Sequence, residues 1–417
     1  MPKTPPTPFS PYQLRLMVFL GVAGFFDGYD YLAISQLLPT LAKEFGLDDR
    51  AIGILGGAVN AGGILSFFLI RLADQYGRRV MLSVSIAGYT LCSFATGLAP
   101  NIWWFAIAQV GASTFLVAEY ALAMVYAAEE FPADRRGLAI GFLQATGALG
   151  GIACALLVPD FLETETGWPL VYFVGTIPLI LLAFARRNLK ETRRYLELDQ
   201  REATFPLMRI LRTVHRPTVV LLALVWALVY SNTKVVVFFW KAHASTALGF
   251  DEHAMGGMFA TAAALTLPLL YAWPWVFDRL GRRRSSVIVM ICLSASTLAA
   301  YSLTGRTSLI ASLCVLLFAN TAVLVVMNAY TAEMFPTRLR ADGYAWSNNV
   351  FGRMGALIAP MLIGQLAVTL SGFSTAVIPA ALAPLVALAL ILWRLPETAN
   401  QELEGIQATT GGLAATD

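Results

Sequence analysis

Five ionisable side chains stand inside long apolar stretches of this sequence: Asp27, Asp30, Glu119, Lys234 and Arg353. Each would cost about 2.5–3.5 kcal/mol at the centre of a helix that inserts alone into a membrane, so each needs a reason to be there. Three are acids and two are bases, which leaves one negative charge that a single proton would neutralise. These residue types predict proton exchange and solute binding, because they lack the nucleophile or metal ligands that covalent catalysis would need.

The acids are the candidate proton-coupling residues. Asp30 is the first candidate, because its charge state would respond both to desolvation and to nearby cations. Asp27 is the second candidate, and the i,i+3 spacing places the two carboxylates on roughly one face of a helix. Glu119 is expected to act as a structural partner or a proton relay.

The two bases are candidate substrate-binding residues. The planar fork of Arg353 suits a carboxylate and therefore favours an anionic substrate, with a structural clamp on backbone carbonyls as the alternative. Lys234 either contacts the substrate or pairs with Asp30, and an ion pair that a proton or substrate breaks would act as a switch. The remaining substrate-binding candidates are uncharged: Gln144, Asn348, Tyr29, Phe238, Trp240, Tyr271 and Trp346. For Gln144 and Asn348, ordinary helix–helix packing through a polar side chain is the alternative.

The elements that must position these residues are predicted to be transmembrane helices. Apolar residues make up 57% of the 417 residues, charged residues only 13%, and the mean hydropathy is +0.66. Stretches of about 20 apolar residues are long enough to cross about 30 Å of hydrocarbon as helices. Twelve such spans are predicted, at 14–41, 51–72, 80–99, 102–128, 137–158, 168–185, 218–242, 253–277, 285–304, 308–332, 343–370 and 373–393.

The two halves of the chain repeat each other. Asp74 recurs as Asp278 and Glu129 recurs as Glu333, both 204 residues later. One constant offset predicts an all-α membrane protein with two pseudo-symmetric six-helix bundles. Its predicted parts are residues 1–185 for the N-terminal bundle, 186–216 for an amphipathic cytoplasmic linker, 217–396 for the C-terminal bundle and 397–417 for a disordered cytoplasmic tail.

The repeat also predicts where the charged residues meet. Parallel repeats of this kind place a substrate site near the midplane of the membrane, between the halves. Asp30 and Lys234 occupy equivalent positions at this offset. We therefore expect them to face each other across a cavity, with Arg353 near the same depth.

The distribution of Lys and Arg predicts the orientation. Most of the 29 basic residues fall on one side of the predicted spans, whereas a few, Lys241 among them, fall on the other. The basic side is cytoplasmic by the positive-inside rule. An even number of spans then places both termini in the cytoplasm, and short outer loops without an Asn-x-Ser/Thr sequon favour a bacterial inner membrane.

The segment Arg71-Leu-Ala-Asp-Gln-Tyr-Gly-Arg-Arg79 between the second and third spans recurs as Asp278-Arg-Leu-Gly-Arg-Arg-Arg284 between the eighth and ninth. With twelve spans, it resembles the signature loop of the major facilitator superfamily. The resemblance implies that Asp74 latches the two halves together on the cytoplasmic side. Gating salt bridges are expected among the charged residues at these helix ends: Asp74, Arg78, Arg79, Glu129, Glu130, Arg135, Arg136, Asp278, Arg282, Glu333, Arg338 and Arg340.

Three shorter segments carry narrower resemblances. Phe26-Asp-Gly-Tyr-Asp30 resembles the Asp-Gly-aromatic-Asp pattern of aromatic acid:proton symporters. Tyr126-Ala-Ala-Glu-Glu-Phe-Pro132 and Tyr330-Thr-Ala-Glu-Met-Phe-Pro336 resemble the metabolite and organic-ion porters of the niacin and synaptic-vesicle-glycoprotein types. The chain departs from animal organic-ion transporters in lacking a large loop between the first two spans, and from sugar porters in lacking a Gln-Gln pair in the seventh.

These features together predict a secondary active transporter that works by alternating access. The expected activity is proton-coupled symport of a small organic anion, a carboxylate that includes aromatic acids. One alternative is a facilitator or antiporter for an organic cation or zwitterion, which would use the three acids as its cation site. Another is a non-transporting membrane receptor.

The expected partners are the substrate, protons and the lipid bilayer, with no nucleic acid, and the chain is expected to be a monomer. No enzymatic activity, metal or cofactor is expected, because the Cys and His residues lack metal-ligand spacing and no Gly-x-x-x-x-Gly-Lys-Ser/Thr loop occurs.

Overall fold

The computed structural model describes residues 9–131, 133–185, 191, 210–335, 339–370 and 372–398. Every regular element in these ranges is helical, as the composition predicts. The α-helices are α1 Pro11–Phe45, α2 Asp49–Tyr76, α3 Arg78–Gly97, α4 Ile102–Glu130, α5 Ala133–Leu162, α6 Pro169–Ala185, α7 Arg216–Leu248, α8 Glu252–Leu280, α9 Arg282–Ser302, α10 Arg306–Glu333, α11 Arg340–Tyr344, α12 Arg353–Thr369, α13 Phe373–Ala376 and α14 Ile378–Arg394. A 3-10 turn covers Ile210–Arg212 and a π-helix covers Ala345–Gly352.

These helices form membrane spans. Within the described ranges, eleven helical segments are long and apolar enough to cross a bilayer, and Pro169–Phe184 is a shorter apolar helix. The 17 residues of α6 reach the lower limit for a span. The predicted all-α, twelve-span membrane fold is confirmed.

Two of the predicted spans are not simple α-helices. The eleventh span, predicted as continuous over 343–370, is built from α11, the π-helix and α12. The sequence does not predict this division, because hydrophobic periodicity does not register a helical turn that is wider by one residue. The twelfth is divided at Val377 into α13 and α14. Pro379 lies in the first turn of α14, where the missing N–H of proline costs no helical hydrogen bond.

The chain divides into two compact units. Unit 1 comprises Met1–Thr40 with Gly62–Thr204, and unit 2 comprises Leu41–Ala61 with Phe205–Asp417. The first part of α2 therefore packs with unit 2, whereas the sequence-based boundary assigns all of 1–185 to one bundle, and that boundary stays a prediction. Most of the predicted linker 186–216 and tail 397–417 lies outside the described residues.

Glycines set the closest helix approach in unit 1, where α1 crosses α5. A Cβ on Gly28 would overlap the backbone carbonyl of Gly147, and a Cβ on Gly150 would overlap the carbonyl of Phe25. Two backbones this close leave no room for any side chain at the crossing. The crossing fixes the part of α1 that carries Asp27 and Asp30.

In unit 2, α7 is the central helix, packed against the π-helix, α12 and α14. Gly352 and Gly355 allow this contact, because a Cβ on Gly352 would lie 2.6 Å from the Cβ of Trp226 and a Cβ on Gly355 would overlap Ala227. The π-helix and the start of α12 are thus held tightly against α7. This contact positions Arg353.

Candidate functional site

In unit 1, three carboxylates gather around one tyrosine. Asp30 on α1 accepts hydrogen bonds from the Tyr89 hydroxyl and, at 3.1 Å, from the Ser93 hydroxyl, both on α3. Asp27 on α1 and Glu119 on α4 are 7% and 1% exposed, and both lie within electrostatic range of the Tyr89 hydroxyl. The tertiary fold therefore brings together all three predicted proton-coupling residues.

This arrangement favours proton exchange. Burying a carboxylate is costly while it carries its charge, and a bound proton removes that charge. Hydroxyl donors from Tyr89 and Ser93 offset part of the cost when Asp30 is charged. Among the described residues, no three His, Cys, Asp or Glu side chains are arranged to hold a metal ion.

Of the other candidates in unit 1, Tyr29 lies within the packing and within electrostatic range of Asp30. Tyr29 is 2% exposed, and its hydroxyl donates to the carbonyl of Val171 at 3.2 Å. Gln144 on α5 is exposed. The substrate-binding roles of both residues stay predictions.

Unit 2 contains a chain of hydrogen bonds that runs from α7 to α10. The Tyr230 hydroxyl donates to Asn348 Oδ1, Asn348 Nδ2 donates to the Tyr344 hydroxyl, and that hydroxyl donates to Asn328 Oδ1, each at 2.8 Å. The guanidinium of Arg353 lies over the Tyr230 ring, 5.8 Å from its centroid. Arg353 also lies within electrostatic range of the Tyr344 hydroxyl. The structure thus places Arg353 and Asn348, both predicted site residues, in one polar group.

The remaining candidates of unit 2 are placed differently. Lys234 is half-buried on α7. Phe238 is 7% exposed and its ring covers Gly56, while Trp240 is 1% exposed and packs near Phe259. Trp346 is half-buried beside Phe351, and Tyr271 is 81% exposed. The predicted approach of Asp30 to Lys234 would join the two units, and it stays a prediction.

Ion pairs recur at the equivalent helix ends of both units. Arg78 pairs with Glu129 in unit 1. Arg282 pairs with Glu333 in unit 2, at distances between 2.7 and 3.2 Å. These four residues are predicted gating residues, and their gating role stays a prediction.

The other predicted gating residues are less fully defined. Arg79 is exposed, Arg340 is half-buried, and the backbone carbonyl of Glu130 accepts a hydrogen bond from Gln13 at 3.1 Å. The side chains of the following residues lie outside the described part of the structure: Asp74, Arg135, Arg136, Asp278 and Arg338.

Sequence reasoning missed two carboxylates that cap helices. Glu191 accepts from the backbone N–H groups of Arg78 and Arg79 at the start of α3, at 3.1 to 3.2 Å. Glu397 accepts from Arg282 and Arg283 at the start of α9, at 2.8 and 3.0 Å. A Leu-x-Glu-Thr pattern ends each half and could have revealed them, but its copies are 206 residues apart and so fall outside the common offset.

Sequence reasoning also missed the hydroxyl and amide groups around the ionisable residues. These are Tyr89, Ser93, Tyr230, Asn328 and Tyr344. Tyrosine also serves membrane helices in packing and at the interface, and asparagine also joins helices through hydrogen bonds, so residue type alone does not assign these groups to a site.

Three relatives and two solved structures resemble this chain along most of its length. The sialic acid transporter NanX of Escherichia coli strain K12 is 24% identical over 85% of this chain and 87% of its own. The niacin transporter NiaP of Acinetobacter baylyi is 25% identical over 96% of this chain and 97% of its own. The gallate transporter of Pseudomonas putida is 26% identical, over 86% of both chains.

The solved structures share the fold at low sequence identity. A D-xylose–proton symporter matches with a TM-score of 0.73 at 18% identity, covering 94% of this chain and 99% of that one. A bacterial homologue of the human lysosomal transporter Spinster matches with a TM-score of 0.75 at 16% identity, covering 93% of this chain and 97% of that one. The family model of the Major Facilitator Superfamily matches residues 20–240 and 223–413. The chain therefore belongs to the Major Facilitator Superfamily and is a multi-pass membrane transporter.

Proposed function

We propose that this protein is a proton-coupled symporter of a small organic anion that works by alternating access. The buried carboxylates around Tyr89 are the observation that carries the proposal. A proton bound by Asp30 removes a buried charge, and losing that proton restores it, so the protonation state can bias a conformational equilibrium. Asp27 and Glu119 both act electrostatically on Tyr89, whose hydroxyl donates to Asp30.

Arg353 supports an anionic substrate. Its guanidinium is half-buried over an aromatic face, and in a low-dielectric setting such a cation favours a carboxylate that pairs with it through two hydrogen bonds. Sialic acid, niacin and gallate, which the relatives are named for, are all carboxylic acids. The shared chemistry of those compounds agrees with this choice of substrate class.

The basic residues support a location in the inner membrane of a bacterium with both termini in the cytoplasm. In this proposal the protein works as a monomer in the bilayer, with the organic anion and protons as its partners. It needs no nucleic acid and no cofactor, and it catalyses no covalent reaction.

A second candidate function rests on the same acids. With all three ionised, Asp27, Asp30 and Glu119 would form a negative site in unit 1 that attracts an organic cation. Such a protein would exchange or passively carry cations, and Arg353 would then have only a structural role.

Uptake into proteoliposomes with an imposed pH gradient tests the proposal. We expect an acid such as nicotinate, gallate or sialic acid to accumulate when the outside is acidic, and Arg353→Ala to abolish that uptake. Asp30→Asn should abolish gradient-driven accumulation while leaving some counterflow exchange. Anion uptake that is indifferent to Arg353→Ala, together with cation flux that collapses in Asp30→Asn, would establish the second candidate instead.

A further inference from the structure

The hydrogen-bond chain of unit 2 has a direction. Tyr230 donates to Asn348, Asn348 to Tyr344, and Tyr344 to Asn328. Because Asn328 accepts through Oδ1, its Nδ2 group is left at the end of the chain as a donor. The inner members fix the outer ones, since Asn348 is 3% exposed and Tyr230 is 7% exposed.

The outer end of the chain is accessible. Asn328 is exposed, although it lies within the apolar span Arg306–Glu333. A primary amide that faced hydrocarbon would leave its donors unsatisfied at a cost of several kcal/mol, so polar groups in spans face protein or water. The surface of unit 2 that carries Asn328 and Tyr344 is therefore hydrated.

A cation lies near Tyr344, the residue whose hydroxyl donates to Asn328. Arg353 lies within electrostatic range of the Tyr344 hydroxyl, and its Nε is buried with no hydrogen-bond partner among the described residues. The π-helix links Tyr344 directly to Arg353 along the chain and is packed against α7 through Gly352. A fixed cation and a fixed amide donor on one surface match a ligand with a carboxylate and a second acceptor.

We propose that Asn328 and Tyr344 are specificity-determining residues of unit 2, which recognise a second hydrogen-bond acceptor on an organic acid whose carboxylate binds Arg353. The inference rests on the proposed transport of an organic anion and narrows its substrate class. The favoured substrates are acids with a ring nitrogen, carbonyl or hydroxyl oxygen away from the carboxylate. Plain hydrocarbon acids bind more weakly, because they displace water from the Asn328 donor and return no hydrogen bond.

Matched acids that differ in one acceptor atom test this inference. Benzoate and nicotinate have the same shape and charge, but only nicotinate carries a ring nitrogen. We expect the purified wild-type protein to bind nicotinate about five-fold more tightly than benzoate, which corresponds to about 1 kcal/mol for one hydrogen bond. Isothermal titration with each acid, and with acetylbenzoate isomers as a carbonyl series, measures the preference.

Three variants separate recognition from folding. Asn328→Leu and Tyr344→Phe should abolish the preference, because each lowers the affinity for nicotinate more than the affinity for benzoate. Asn320→Leu is the control on the same helix, because Asn320 donates to the carbonyl of Thr233 and takes no part in the chain. It should lower the melting temperature and preserve the preference.

Each other outcome overturns the inference. If the wild type binds both acids equally, or if the variants weaken both acids to the same extent, Asn328 and Tyr344 are not specificity residues, and the proposed anion transport still stands. If the wild type binds none of these acids and binds organic cations instead, the proposed substrate class fails together with the inference.

Discussion

Arg282 binds Glu333 through two nitrogens of its guanidinium, Nε at 3.2 Å from both carboxylate oxygens and Nη2 at 2.7 Å from Oε1. The guanidinium also lies 4.7 Å from the centroid of the Phe277 ring. The equivalent residues of unit 1, Arg78 and Glu129, form the same pair. Both repeats therefore carry this ion pair at equivalent positions.

We predict that Arg282→Lys lowers stability although it keeps the charge. Lysine cannot make the forked contact with Glu333 or stack on Phe277, and these side chains are only 16% and 18% exposed in the ion pair. The expected loss is about 1 kcal/mol, seen as a lower melting temperature in detergent. Arg279→Lys, at an exposed position near the same turn, is the control. Equal melting temperatures for the two variants would contradict the prediction.

Removing the helix caps should destabilise each unit in the same way. Glu191→Gln and Glu397→Gln keep an acceptor oxygen but lose the charge that interacts with the amino-terminal dipole of α3 or α9. We expect each to cost about 0.5–1 kcal/mol, and the alanine variants about 1–2 kcal/mol. Thermal unfolding measures the effect, with Glu165→Gln in an exposed turn as the control. If the caps do not contribute to stability, all five variants will have the same melting temperature.

The crossing of α1 and α5 predicts that alanine substitution lowers stability at one glycine and hardly changes it at the next. Gly150→Ala would drive a methyl group into the Phe25 carbonyl, whereas the Cβ of Gly151→Ala would lie at an ordinary 3.7 Å from the Gly28 carbonyl. We expect a loss of about 1–3 kcal/mol or failed expression for Gly150→Ala, and little or no loss for Gly151→Ala. Fluorescence-detected gel filtration and melting curves compare the two. A stable Gly150→Ala protein would show that the helices separate easily.

The buried lysine of α7 supplies another prediction. Lys241 is fully buried and its Nζ lies 2.5 Å from Glu252 Oε2, the carboxylate being 30% exposed. Glu252→Gln should destabilise the protein by about 2–3 kcal/mol, because the cation stays buried without its counter-charge. The double variant Lys241→Met with Glu252→Gln should recover most of that loss. A double variant no more stable than Glu252→Gln alone would argue that Lys241 packs through its methylene groups only.

The sequence predicts the membrane architecture well, because a span must be long and apolar and the repeat supplies an independent check. The sequence predicts poorly where a span departs from a regular α-helix and which charged side chains are buried. The π-helix at Ala345–Gly352 contains Ser347, Asn348 and Asn349 within a longer apolar span, and nothing in that pattern specifies a wider helical turn. The count of basic residues places Lys241 on the outer side of the membrane but does not predict that it is buried against Glu252 on the next helix.

For the candidate site, helical periodicity predicts which residues share a face but not which helices meet. The i,i+3 spacing predicts that Asp27 and Asp30 share a face of α1, and both act electrostatically on Tyr89 in the structure. The approach of Glu119 depends on how α4 packs against α3, which only the folded structure defines. The same limit applies to Tyr230 and Asn328, whose connection runs through the π-helix.

The Glu397 cap also governs how this protein can be engineered. Thr398 is 2% exposed and its hydroxyl donates to Glu333 at 2.5 Å, so the chain as far as Thr398 is part of the folded body. A reporter or affinity tag fused directly after Leu395 would displace Glu397 and Thr398 and expose the start of α9. Fusion junctions should therefore follow Thr398, where an added domain leaves both contacts in place.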